Sequence, residues 1–246
     1  MLLSENARTV LHLTPYLTFF LKNYLRSHRY LREIVFLVVF HIFFWGFLYG
    51  NRAEDAIWTV FGVLALLLNL VTGSSLFFLE KGNDLYFSLI RPFGRIRFFL
   101  AKVVLIVFID LAWVLFFALI YGVRFPEGNY FLLLPVRMAL ILLLLALSTL
   151  LISFSFTYRP YVAWLILLLL VFGSILNKTA LFPPSGLREA YVLLTLLLPP
   201  FLEIIFTAVS LRPGMWQSVF LLVAAGQIGL YLWLNLRFLR RKDFID

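Results

Sequence analysis

Long apolar runs with short polar punctuation set the plan of this chain. Six of them, 34–50, 57–79, 99–122, 130–153, 160–177 and 216–236, approach or exceed the ~20 residues that a bilayer-crossing helix needs. A seventh run, 190–211, is interrupted by Pro199 and Pro200, which remove two amide donors and break a straight helix. It reads as two half-helices that dip into the outer leaflet and return. Broken backbone at membrane depth survives only under a cover of protein, so this re-entrant hairpin is expected to pack against the other spans. The expected fold is an all-α membrane protein with six transmembrane helices and a re-entrant hairpin before the sixth.

Ahead of the first run the pattern changes to a two-faced one. Thr14-Pro15 reads as an N-cap and first helical position. Leu17, Phe20, Tyr24 and Leu31 then share a face, while Lys22, Arg26, Arg29 and Glu33 fall about 200° away at helical spacing. This predicts an amphipathic helix along the cytoplasmic membrane surface, with Lys22, Arg26 and Arg29 as its basic face; a plain basic anchor for the first span is compatible with it. The organisation is then a cytoplasmic segment at 1–33, a transmembrane domain at 34–236 and a basic cytoplasmic tail at 237–246. The first 33 residues hold no short apolar core followed by a small-residue cleavage site, so no removable signal peptide is expected.

Charge sets the orientation. With both termini inside and 190–211 not crossing, fifteen Lys and Arg fall inside and five outside (Arg52, Arg124, Lys178, Arg188 and Arg212), the positive-inside bias of a multi-pass protein. A crossing at 190–211 would move Arg237, Arg240, Arg241 and Lys242 outside and erode that bias. The net charge of +9 is therefore accounted for by orientation in a cell (inner) membrane, and no nucleic-acid partner is implied. Charged residues make up 13% of the chain, against about 25% in soluble domains. There is no cysteine, which excludes disulfides, thiolate metal sites and cysteine nucleophiles.

The polar stretch "EKGNDLYFSLIRPFGRIRF" at 80–98 carries the most local information. Asn83 is a good N-cap, and Asp84 puts negative charge at the positive end of a following helix. Asp84, Ser88 and Arg91 form a polar stripe; Leu85, Tyr86, Leu89 and Ile90 form an apolar one. Pro92 stops the helix, and Gly94 lets the chain turn. A short two-faced cytoplasmic helix at about 83–91 is predicted between spans two and three. It is either a basic loop obeying the charge rule or a rigid peg for a cytosolic partner.

The segment "EKGNDLYFSLIRPFGRIRFFLAK", Glu80 to Lys102, resembles the loop between the second and third spans of ABC-2 type transporter permeases, and "GNDLYFSLIRP" is similar to a pattern of the drug- and daunorubicin-exporter-like branch. The layout of amphipathic helix, six spans, interrupted segment and closing "RFLRRKDF" agrees along the whole chain. The resemblance implies a coupling helix, with Asp84, Leu85, Ser88, Leu89, Arg91 and Pro92 docking on a separate ABC ATPase subunit. It also implies a second permease copy, as a homodimer or as a heterodimer with a related permease. ATP and Mg would be bound by the partner, since this chain has no G-x-x-x-x-G-K-[ST] loop; the chain itself would be no enzyme and carry no cofactor. Hydrophobic drugs or antibiotics, lipids, peptides and glycans are the substrate classes implied.

Polar residues within the runs are the remaining candidates. Asp110, mid-span, costs about 2.5–3.5 kcal/mol to insert alone, so it is expected to be paired, protonated or facing water; Arg137 is a possible partner. His41 is a possible proton carrier or a histidine satisfied by a neighbouring helix. Asn69, Thr72, Ser74, Ser75 and Gln227 read as interhelical hydrogen-bond groups. Asn69, Asp110, Arg137, Glu203 and Gln227 are the candidates for a substrate path or an intramembrane polar network, with Glu203 either near the outer interface or lining an exit. Gly226 and Gly229, with Ala224 and Ala225, suit close approach of another helix. Most Phe and Trp read as lipid-facing filler and interface belt. No paired acids, metal-spaced His cluster or nucleophile–base motif stands out, so catalytic and metal residues are expected to be none. The alternatives to an exporter permease are a proton-coupled secondary transporter and a non-transporting assembly subunit.

Overall fold

The computed structural model describes residues 13–44, 54–78, 94–125, 129–159, 162–163, 165–166, 198–211 and 215–241. Among these residues there is no strand. The helices are α1 (Thr14–Arg26), α2 (Tyr30–Phe43), α3 (Glu54–Phe78), α4 (Gly94–Arg124), α5 (Tyr130–Ile152), α6 (Phe154–Thr157), α7 (Phe201–Ser210) and α8 (Met215–Arg241). Among the described residues four stretches, Ile57–Phe77, Gly94–Arg124, Tyr130–Thr157 and Gln217–Arg240, are long and apolar enough to cross a membrane. They correspond to the expected spans two, three, four and six. The end of the first expected span, most of the fifth, the first half of the hairpin and the whole coupling helix lie outside the described residues.

Helices α3, α4 and α5 pack on one another and form the core. Around them, α1 lies on α4, α2 on α3, and α7 against α3, α5 and α8. At one end of the bundle the C-terminus of α3 meets the start of α4 and the end of α5–α6. Phe77 stacks near Phe99 and Phe156, with ring centroids 6.4 and 5.5 Å apart. Lys102 is buried there. Its Nζ donates to the Leu76 carbonyl at 2.9 Å and lies over the rings of Phe98, Phe156 and Phe20 at 4.6, 5.2 and 5.6 Å. An ammonium against the last carbonyls of a helix and against aromatic faces is stabilised by both. α8 joins this end through Asn235, which donates to the Leu150 carbonyl at 3.0 Å and accepts from Thr157 Oγ1 at 2.6 Å. Arg95, Arg97, Arg159, Arg237 and Arg240 therefore lie toward the same end.

The opposite end is closed by buried aromatics. Trp58, Phe61, Tyr121 and Tyr130 pack ring to ring at 5.3–6.2 Å, and Tyr130 Oη donates to the Ala118 carbonyl at 2.8 Å. The aromatic residues divide: Trp58, Phe61, Phe77 and Phe99 are core, while Phe43 and Phe108 are outward. With three helices meeting at each end, flat rings fill the gaps that aliphatic chains leave.

Two boundaries differ from the sequence reading. Gly94 is not a turn but the first residue of α4, because nothing in "RIRFF" opposes a helix once Pro92 is past; Arg95 and Arg97 thus belong to the helix. At the N-terminus the amphipathic helix stops at Arg26. Arg29 N–H bonds the Tyr24 carbonyl and His28 N–H the Leu25 carbonyl, each at 3.2 Å, and His28 sits at φ 52°. This pair of bonds with a left-handed residue is the Schellman termination, made here with His rather than Gly. The break ends the face drawn from Leu17 to Leu31: Phe20 and Tyr24 are buried, Leu31 is exposed and Glu33 is buried. The N-cap is Leu13, not Thr14, and it makes no side-chain cap. Lys22 and Arg26 are exposed and Arg29 is half-buried.

The half-helix α7 follows Pro199-Pro200. Gln227 Nε2, midway along α8, donates to the Leu198 carbonyl at 3.3 Å, so the proline break sits at mid-bundle depth. From there α7 runs about 15 Å toward the aromatic end, where Ile205 lies against Gly62.

Gly122 of α4 allows the closest packing at that end: a Cβ there would come within 2.5 Å of Tyr130 Cε1. Because the Tyr130 ring is buried and its hydroxyl is anchored, Gly122→Ala is expected to destabilise the fold by about 1–3 kcal/mol, measured as a lowered denaturation midpoint in mixed micelles.

Candidate functional site

A polar cluster lies between α1, α2, α3, α4 and α5, near the middles of α3 and α4. Its hub is Asn69, fully buried on α3. The Asn69 amide nitrogen donates to Asp110 Oδ2 at 2.7 Å and to Thr149 Oγ1 at 2.8 Å. The Asn69 carbonyl oxygen accepts from Ser148 Oγ at 2.9 Å. One amide thus satisfies three helices at once, using both of its donors and its acceptor.

The second half of the cluster surrounds Glu33 on α2. Glu33 Oε2 accepts from Tyr24 Oη at 2.5 Å and from Trp113 Nε1 at 3.1 Å. Burial and the neighbouring Glu33 raise the titration of the Tyr24 phenol above its ordinary value, so it stays protonated and remains a donor. Thr72, one turn from Asn69, sits beside both the Glu33 and Asp110 carboxyls without completing a hydrogen bond to either. The two carboxyls are close enough for their charges to interact. Glu33 Oε1, Asp110 Oδ1 and Thr72 Oγ1 are all buried and make no hydrogen bond.

This arrangement corrects two sequence expectations. Paired acids are present: Glu33, assigned to a surface face by helical extrapolation, turns inward because the break at 27–29 resets the helix. Asp110 is not partnered by Arg137. Asp110 is held by Asn69, whereas the Arg137 guanidinium lies 4.9 Å over Trp58 at the aromatic end. Twelve residues of α5 separate Arg137 from Thr149, about 18 Å along a helix.

The other candidates divide. Asn69 and Gln227 do bridge helices or segments. Thr72 and Ser75 are buried but make no such bridge, and Ser74 is exposed and bonds its own Val71 carbonyl at 2.9 Å. Glu203 lies in the first turn of α7, one turn from the mid-bundle break rather than at the outer rim, where its carboxylate meets the positive end of that helix. The His41 ring lies 6.0 Å from Phe117, two turns beyond Glu33. Gly226 and Gly229 have no atom of the described residues within 4 Å of where a Cβ would stand, so among those residues their room for close approach is unused, while Ala224 is buried. The coupling residues Asp84, Leu85, Ser88, Leu89, Arg91 and Pro92 lie outside the described residues. Trp113, Ser148, Thr149 and Asn235 were missed. The only signal for them was their polarity inside or beside apolar runs, which does not say which face turns inward.

Compared with protein-family models, with curated proteins and with solved structures, the chain matches none.

Removing the hub strands several partners at once. Asn69→Leu is expected to cost about 1–3 kcal/mol through buried groups left unsatisfied. Ser148→Ala removes a single interhelical hydrogen bond, to the Asn69 carbonyl oxygen, and is expected to cost about 0.6 kcal/mol. Denaturation midpoints in mixed micelles rank the two.

Proposed function

We propose that this chain is the transmembrane permease subunit of an ABC-2 type exporter, driven by separate ATPase subunits docked on residues 80–98. The chain sits in a cell membrane with both termini in the cytoplasm, and two copies form the substrate path. The observation that supports this reading best is the clamp at the foot of the 79–93 segment. Lys102 holds the Leu76 carbonyl, and Phe77 stacks with Phe99 and Phe156. A push on a peg set between those anchors reaches α3, α4 and α5 together, so a docked ATPase moves the bundle as a body rather than bending a loop. The basic residues gathered toward that same end agree with a cytoplasmic location. The half-helix after Pro200 agrees with an interrupted segment before the last span.

A second copy fits the face of α8 that carries exposed Leu222 and Trp233 and the open Gly226 and Gly229. A second reading, a proton-coupled transporter, draws its support from the Glu33 and Asp110 carboxyls.

The docking claim is tested with tagged protein purified from its native membranes. An ATPase subunit is expected to co-purify, and Leu89→Asp or Arg91→Glu to abolish its stimulated hydrolysis while the helical spectrum stays unchanged. Co-purification and activity equal to wild type in both variants, or transport by the chain alone in vesicles, would remove the reading. Because the chain has no native cysteine, pairing of copies is read directly. Gly226→Cys is expected to cross-link two copies in the membrane, and the buried Ala224→Cys is not.

A further inference from the structure

The enclosed carboxyls point to a function of their own, independent of the exporter reading. Each has one oxygen anchored: Glu33 Oε2 by Tyr24 and Trp113, Asp110 Oδ2 by Asn69. Each leaves the other oxygen buried and open. Beside both is a third group in the same condition, the Thr72 hydroxyl, with no exposed surface and no hydrogen bond. Three buried oxygens with spare bonding capacity around one spot cannot stay unfilled without cost, since an unmade buried hydrogen bond is expensive.

Two like charges in one water-excluded pocket are also strongly unfavourable, and one carboxyl of such a pair keeps its proton. The titratable groups facing the pocket among the described residues are Tyr24 from α1, Glu33 from α2 and Asp110 from α4; α3 and α5 supply the neutral Asn69, Thr72, Ser148 and Thr149. No cation is among them to neutralise the second carboxylate.

We propose that Glu33 and Asp110, with Thr72 between them, form a binding site for a single exchangeable proton inside the bundle. A proton taken from water sits on one carboxyl and is offered to the other, directly or through the Thr72 hydroxyl, so the pair carries one negative charge. The open oxygens suit a proton better than a sodium ion, which takes a larger oxygen shell than the three present.

Infrared difference spectroscopy of the purified full-length protein tests this. The carbonyl stretch of a protonated carboxylic acid is expected at neutral pH in the wild type, shifting in heavy water and titrating away on alkalinisation. Glu33→Gln and Asp110→Asn each remove the like charge, so the surviving acid releases its proton at lower pH, by about one unit or more. Thr72→Val removes the hydroxyl between the two acids and is expected to move the midpoint as well. A wild type without that band, or midpoints unmoved in all three variants, would overturn the proposal. So would loss of the band at fixed pH when sodium chloride replaces choline chloride, which would make the pocket a cation site. The wild-type titration stands by itself if a variant fails to fold.

Discussion

A carboxylate buried in the middle of an apolar helix bundle has to be answered by protein, and the rest of the bundle is arranged around that answer. Asp110 is fully buried. It is held by Asn69, whose other donor and whose acceptor tie it to Thr149 and Ser148. The α3–α4–α5 contact is therefore specified by hydrogen bonds as well as by shape. Leu-rich faces alone would allow sliding or rotation, because in lipid there is little hydrophobic gain in choosing one greasy face over another. A three-way amide fixes register.

How much of this was legible in the sequence follows from what each signal measures. Run length found the middles of four helices, because crossing a bilayer demands a minimum of apolar residues. It missed the true start of α4 at Gly94, since a helix continuing into water costs nothing that hydropathy records. Helical extrapolation placed Phe20 and Tyr24 correctly on one buried face, then failed for Leu31 and Glu33 at His28. A left-handed stop without glycine carries almost no sequence mark. Asp110 was recognised as needing a partner and Arg137 was offered as a possible one, since opposite charge is visible in a sequence and depth is not. That Trp58 and Phe61 are core was not legible, because aromatic composition does not report helix rotation.

The two ends and the middle have separate roles. The aromatic end, with Tyr130 locked to Ala118, is packed by rigid rings against Gly122. The basic end is pinned by Lys102 and by Asn235. The middle carries polar groups bonded at one side and unfilled at the other. Rigid ends around an imperfectly satisfied centre are a workable arrangement for a molecule that must stay assembled while its interior changes state.

The Glu33 partnership also sets an order of events during biogenesis. Tyr24 lies nine residues from Glu33, but Trp113 is eighty residues downstream. A ribosome therefore delivers the acid long before its indole donor and before Asp110 exist. Until α4 emerges, Glu33 has to wait at the lipid boundary or in the translocation channel. Glu33 thus reaches its final surroundings only after α4 has been made.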